Sequence, residues 1–212
     1  MSRMSSELFE KCLSLEEKYI HVDNDASYYI ERDPDWDGLL TIYFEWSNGK
    51  TDWKNNFDFP AKPYRDMKDT WFCHRGFLKV WKSIEPHISA DILDPRTKMV
   101  RIVGYSHGGA IAQLCHEYVA FHRPDLATMG MLFTIAVGSP RVYWGPIRKR
   151  VRERFNCCFV LRNGIDLVTM LPPVLFGFRH ICPVIPIGKK SLGLIKDHYP
   201  NRYTEALQAE EL

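Results

Sequence analysis

Ser106 stands in the pentapeptide Gly104-Tyr105-Ser106-His107-Gly108, where a Val/Ile-containing run, Met99-Val100-Arg101-Ile102-Val103, gives way to the helix-forming run from Ala110 to Tyr118. A serine on a sharp strand-to-helix turn needs a glycine two places to either side, because the two backbones pass closely there. The pattern, with Gly109 following it, predicts a nucleophile elbow that projects the Ser106 hydroxyl into solvent. A serine hydroxyl is a weak nucleophile until a base removes its proton, and the base needs a carboxylate to orient it and to stabilise its charged form. On folds that carry such an elbow the acid follows the serine along the chain and the histidine follows the acid. Asp166 comes just past a strand-like run ending at Leu161, and His198 sits in the turn Asp197-His198-Tyr199-Pro200. His180 is the other histidine beyond the acid; it abuts the start of a strand-like run and reads as a packed side chain, so His198 is preferred. Asp197 competes with Asp166, but a residue adjacent to the histidine rarely reaches its ring nitrogen in the required geometry.

The elements that must bring these side chains together alternate in character along the chain, which predicts an α/β fold with a mostly parallel central sheet flanked by helices. Helical periodicity is read from Ser6 to Ile20, Gly76 to Ile88, Gly108 to His122, Ile147 to Arg154 and from Pro200 through Arg202 to Ala209. Strands are read at Leu39 to Phe44, Met99 to Val103, Leu132 to Val137 and Cys157 to Leu161. Ile181 to Ile187 has strand composition interrupted by prolines, which suits an edge or bulged strand. With 212 residues the chain fits one domain spanning 1–212.

Composition narrows the function classes. A 45% hydrophobic and 25% charged chain is an ordinary globular composition. The net charge of +2 and the confinement of clustered base to Arg148-Lys149-Arg150 and Arg152, on one helix face, argue against nucleic acid as a partner. No apolar run approaches the length of a spanning helix, and the first residues show no secretory apolar core, so the expected location is cytoplasmic. Six cysteines without C-x-x-C or zinc-like spacing predict buried free thiols in a reducing compartment. Cys157 and Cys158 are expected on opposite faces of one strand. The spacing of His74, His116 and His122 makes no first coordination shell, and Gly49-Lys50 and Gly188-Lys189 lack the rest of a phosphate-binding loop. No metal or organic cofactor is expected.

At the level of the whole sequence, the segments Thr41-Ile42-Tyr43-Phe44-Glu45-Trp46-Ser47, His74-Arg75-Gly76-Phe77, Gly104-Tyr105-Ser106-His107-Gly108-Gly109-Ala110, Gly138-Ser139-Pro140-Arg141-Val142 and Asn163-Gly164-Ile165-Asp166-Leu167-Val168 resemble, in that order, motifs of the class 3 lipases. The resemblance implies an α/β-hydrolase fold and a serine ester hydrolase acting through an acyl-enzyme on a small-molecule or lipid ester. Carried onto this sequence, it makes Ser106 the nucleophile, Asp166 the orienting acid and His198 the base. It also makes the backbone N–H groups of Ser47 and His107 the oxyanion hole. Leu171, Val174, Leu175, Phe176 and Phe178, on the loop after Asp166, become the substrate-binding side chains, although capping of the core explains them equally well. Two departures stand out: the family's glycine before Ser47 is Trp46 here, and the stretch 48–56, where relatives place an apolar lid, is mostly polar, which predicts no jump in rate at an oil–water interface. Two competing functions keep the scaffold: a binding module without catalysis, and an acyltransferase that gives the acyl group to an alcohol instead of water.

Overall fold

Aliphatic and aromatic runs form the strands, and the amphipathic stretches between them form the helices that cover them. The computed structural model of the chain describes residues 2–46, 60–65, 71–189 and 193–209. In chain order the elements are α1 (Ser2–Ser14), β1 (Ile20–Val22), β2 (Ala26–Arg32), β3 (Leu39–Phe44), β4 (Ala61–Tyr64), β5 (Trp71–His74), α2 (Arg75–Leu93), β6 (Met99–Tyr105), α3 (His107–His122), α4 (Pro124–Thr128), β7 (Leu132–Val137), β8 (Tyr143–Trp144), α5 (Lys149–Arg154), β9 (Cys158–Asn163), β10 (Phe178–Arg179), β11 (Val184–Ile187) and α6 (Pro200–Ala209).

Seven strands make the main sheet in the order β1-β2-β3-β6-β7-β9-β11. The pairs from β3 to β11 are all parallel, and β1 and β2 add an antiparallel edge. Because successive side chains on a strand point to opposite faces, each central strand feeds two different cores. Leu40, Ile42 and Phe44 of β3, Val100 and Ile102 of β6, Ala136 of β7 and Val160 of β9 pack with α2 and α3. Tyr43, Val103, Tyr105, Ile135, Val137 and Leu161, one position out of phase, pack on the other face with Leu8, Phe9 and Cys12 of α1 and Tyr203, Ala206 and Leu207 of α6. Strands buried on both faces read as continuous apolar runs, which is why β6 and β7 are plain in the sequence. No helix among the described residues is long and apolar enough to cross a membrane.

The differences from expectation have local causes. α1 stops at Ser14, short of Ile20, because the chain turns to bury Tyr19, whose hydroxyl donates to the Cys12 carbonyl at 3.0 Å. A continuing helix would use that carbonyl for the amide four residues on. α2 runs on to Leu93 through Pro86, whose missing N–H falls on an exposed face, while Ile88 and Ile92 keep the buried stripe going. A second, antiparallel sheet in the order β10-β8-β5-β4 was not anticipated. β11 lies at the edge of the main sheet, as its prolines require. β9 begins at Cys158, which is buried, and Cys157 precedes the strand and is half-buried, so the two do not share the one strand expected; all six cysteines are free thiols. Arg148, Lys149, Arg150 and Arg152 are exposed.

Candidate active site

The turn between β6 and α3 is as tight as the glycine spacing requires. A Cβ on Gly104 would stand 2.2 Å from the Gly108 carbonyl oxygen, and one on Gly108 would stand 2.3 Å from that of Phe44. No side chain fits at either place. Ser106, at the apex, has φ 54° and ψ −119°, a conformation that L-residues rarely hold. Its amide donates to the Val137 carbonyl at 2.8 Å, which ties the elbow to the end of β7.

Parallel register brings the remaining groups to the same end of the sheet. Tyr105 lies opposite Val137, and Val137 opposite Leu161, so the carboxyl ends of β6, β7 and β9 are level. Loops leaving that end are where open α/β sheets place their chemistry. Asp166 follows β9, and His198 ends a 3-10 turn (Lys196–His198) that precedes α6. His198 Nε2 lies 2.8 Å from Ser106 Oγ, and His198 Nδ1 lies 2.8 Å from Asp166 Oδ2. The Asp166 side chain is fully buried, whereas that of His198 keeps a small opening to solvent. The carboxylate accepts further bonds from the Val168 amide at 2.8 Å on Oδ1 and from the Tyr203 hydroxyl at 2.6 Å on Oδ2. Burial and the neighbouring charge of Asp166 push the Tyr203 phenol well above its ordinary pKa, so it stays protonated and donates.

The two rivals have other partners. Asp197 is buried and accepts from the Ile165 amide at 3.0 Å, while its carbonyl accepts from Asn163 Nδ2 at 3.0 Å. His180 bonds the Thr169 carbonyl through Nε2 at 2.7 Å, and burial lowers its pKa to about 4, so it is a packed, neutral histidine.

His107 opens α3 directly after Ser106, so its amide belongs to the first turn, where helix N–H groups point out along the axis. Its ring packs on Phe77, with centroids 5.4 Å apart. Ser47 and the stretch 48–56 lie outside the described residues. Trp46 is half-buried with its ring edge-on to Tyr105, a contact a glycine would lack. In the loop after Asp166, Val174, Leu175 and Phe176 are exposed, Leu171 is half-buried, and Phe178 is buried against His74, so these five side chains do not form one surface. Sequence reasoning missed Tyr203 and also Tyr105, whose ring stacks on that of His198 at 5.2 Å and whose hydroxyl donates to the His198 carbonyl. The only signal for Tyr105 is its place inside the elbow motif.

Residues 41–176 match the family model for lipase (class 3). The chain belongs to the class 3 lipase family. It is 32% identical over 137 residues to the secreted mono- and diacylglycerol lipase 1 of Fusarium solani, a match covering 62% of this chain and 38% of the relative. It is 30% identical over 162 residues to a lipase of Rhizomucor miehei, covering 68% of this chain and 41% of the relative. The chain thus spans about two fifths of the length of the curated relatives it matches. A fungal lipase solved with an inhibitor superposes with a TM-score of 0.74 at 20% identity, covering 97% of this chain and 94% of the other, which establishes the α/β-hydrolase fold. The Fusarium relative is a secreted protein by name. That finding overturns the expectation of a cytoplasmic location and a reducing compartment, which rested on the first residues and on cysteine spacing alone.

Proposed function

We propose that this class 3 lipase chain is a serine carboxylic-ester hydrolase that cleaves acylglycerol-type lipid esters through an acyl-enzyme on Ser106. What carries the proposal is the unbroken line of hydrogen bonds from Ser106 Oγ through both His198 nitrogens to buried Asp166, each 2.8 Å long. The substrate class is supported by the relatives, named as a mono- and diacylglycerol lipase and a lipase.

In the first half-reaction Ser106 Oγ attacks the ester carbonyl while His198 Nε2 takes its proton. The imidazolium is held by Asp166, whose charge is kept from water by burial and whose oxygens are fixed by the Val168 amide and the Tyr203 hydroxyl. The negative oxygen of the tetrahedral intermediate sits at the N-terminal end of α3, within the reach of the His107 amide, with Ser47 as the second donor. Collapse expels the alcohol, which receives the proton from His198. Water then enters and its oxygen bonds to the acyl carbon while His198 takes its proton; the bond to Ser106 Oγ breaks, His198 returns the proton to Ser106, and the acid leaves.

A chain-length series of nitrophenyl esters on wild type and Ser106→Ala tests the mechanism, together with labelling by a fluorophosphonate. The wild-type protein should label stoichiometrically, and kcat should fall on the order of 10⁵-fold or more in the variant. Turnover that survives the substitution, or a protein that does not label, would refute it.

A further inference from the structure

Cys158 opens β9, and Cys182 stands just before β11, the edge strand that pairs with β9. The parallel register pairs Val184 with Val160, so Cys182 stands opposite Cys158 one repeat earlier. Their sulfurs are 3.0 Å apart, inside van der Waals contact, and both side chains are buried. Neighbouring strands run about 4.8 Å apart, within the Cα separations that disulfides span. Cys182 is also one of the residues lining a cleft of about 340 Å³, with Arg152, Phe155, Asn156 and His180, while its sulfur donates to Gln113 Oε1 at 3.5 Å. Arg152 gives that cleft an exposed positive charge, which attracts anionic reagents.

We infer that Cys158 and Cys182 form a thiol–disulfide site that takes a small anionic disulfide of the glutathione class in the cleft and closes to an intramolecular disulfide. Cys182, as thiolate, attacks one sulfur of the incoming disulfide; the S–S bond breaks, a mixed disulfide forms on Cys182, and the first small thiol leaves with a proton. Cys158 then attacks Cys182 Sγ, the mixed disulfide breaks, and a second small thiol leaves with the second proton. Two electrons pass from the protein thiols to the reagent. The order follows from position, since Cys158 is sealed from the cleft and burial raises its pKa well above the usual thiol value. The product staples the edge strand to the strand that leads into Asp166, closing a ring over residues 158–182. The site is independent of the proposed ester chemistry.

The test is incubation of the full chain with oxidised glutathione at mildly alkaline pH, then thiol titration under denaturing conditions and peptide mapping. Titratable thiols should fall from the six present to four, with the loss of about 2 Da and one linkage, 158 to 182. The melting temperature of the oxidised form should rise by about 5–10 °C. Cys158→Ala should halt at the mixed disulfide on Cys182, heavier by about 305 Da. Cys157→Ala, which removes the half-buried neighbour, should behave as wild type. Six thiols remaining in the treated wild-type protein, or a linkage through Cys157, would overturn the inference whether or not any variant folds.

Discussion

The hydroxyl of Tyr203 bonds the same Asp166 oxygen that faces His198, so two donors converge on Oδ2 of a fully buried carboxylate. A hydrogen bond to a buried charge is worth about 1.5–3 kcal/mol, and 1.4 kcal/mol is a factor of ten in rate. Tyr203→Phe keeps the ring packed on Phe9 and Tyr105 and removes only the donor. The expected outcome is a fall in kcat of about ten- to a hundredfold with little change in KM, because the carboxylate loses one of the donors that hold it in line with His198. An unchanged kcat would mean that Tyr203 supports only the fold. The serine, acid and histidine were legible because their chemistry restricts them to few residue types in a fixed chain order. Tyr203 was not, since one tyrosine among the chain's ten says nothing of where its hydroxyl ends.

The loop between β9 and β10 illustrates what legibility means for an element. Its apolar composition was plain, but its division was not. Arg141 Nη1 donates to the carbonyls of Met170 and Pro172, and Trp144 Nε1 donates to that of Phe176 at 2.8 Å, so the backbone is braced from within. The braces turn Leu175, 96% exposed, and Phe176, 61% exposed, to solvent, and send Phe178 into the interior. Period and composition cannot show this, because β8 and β10, which fix the loop's course, are two residues long. Large apolar side chains held in water by a rigid loop gain about 25 cal/mol per Å² when an acyl chain or lipid covers them. The double substitution Leu175→Ser with Phe176→Ser should therefore cut kcat/KM on long-chain esters at least about tenfold, leaving short soluble esters within about twofold and the melting temperature unchanged. Equal losses at every chain length would exclude this loop from the acyl site.

Across the whole molecule, α3 joins the elbow to the interior. It is buried from His107 to Ala120, so every polar side chain on it needs an internal partner. Gln113 donates to Ser139 at 2.7 Å, Glu117 is paired with Arg154 of α5, and His116 lies 2.8 Å from Thr134 Oγ1 and 2.8 Å from the Arg154 carbonyl. The carbonyl can only accept, so His116 Nε2 carries the proton and Nδ1 accepts from Thr134. The elbow was legible in a pentapeptide, but this brace was not, for its partners come from β7, the turn after it and α5 and share no spacing in the sequence. Burial lowers the His116 pKa from 6.5 to about 4. In the unfolded chain the imidazole takes its proton near pH 6.5 and in the folded chain only near pH 4, so between those values the unfolded state binds more protons and stability falls as pH falls. The full effect is on the order of 3 kcal/mol, present above about pH 6.5 and lost on the way to pH 4, a drop of about 6–12 °C in melting temperature. His180, lowered to about 4 by its own burial, adds to the slope in the same direction. Thermal melts from pH 7 to 4 on wild type and His116→Gln check this: the variant should start less stable and show a shallower decline, and parallel curves would assign the acid sensitivity to other groups.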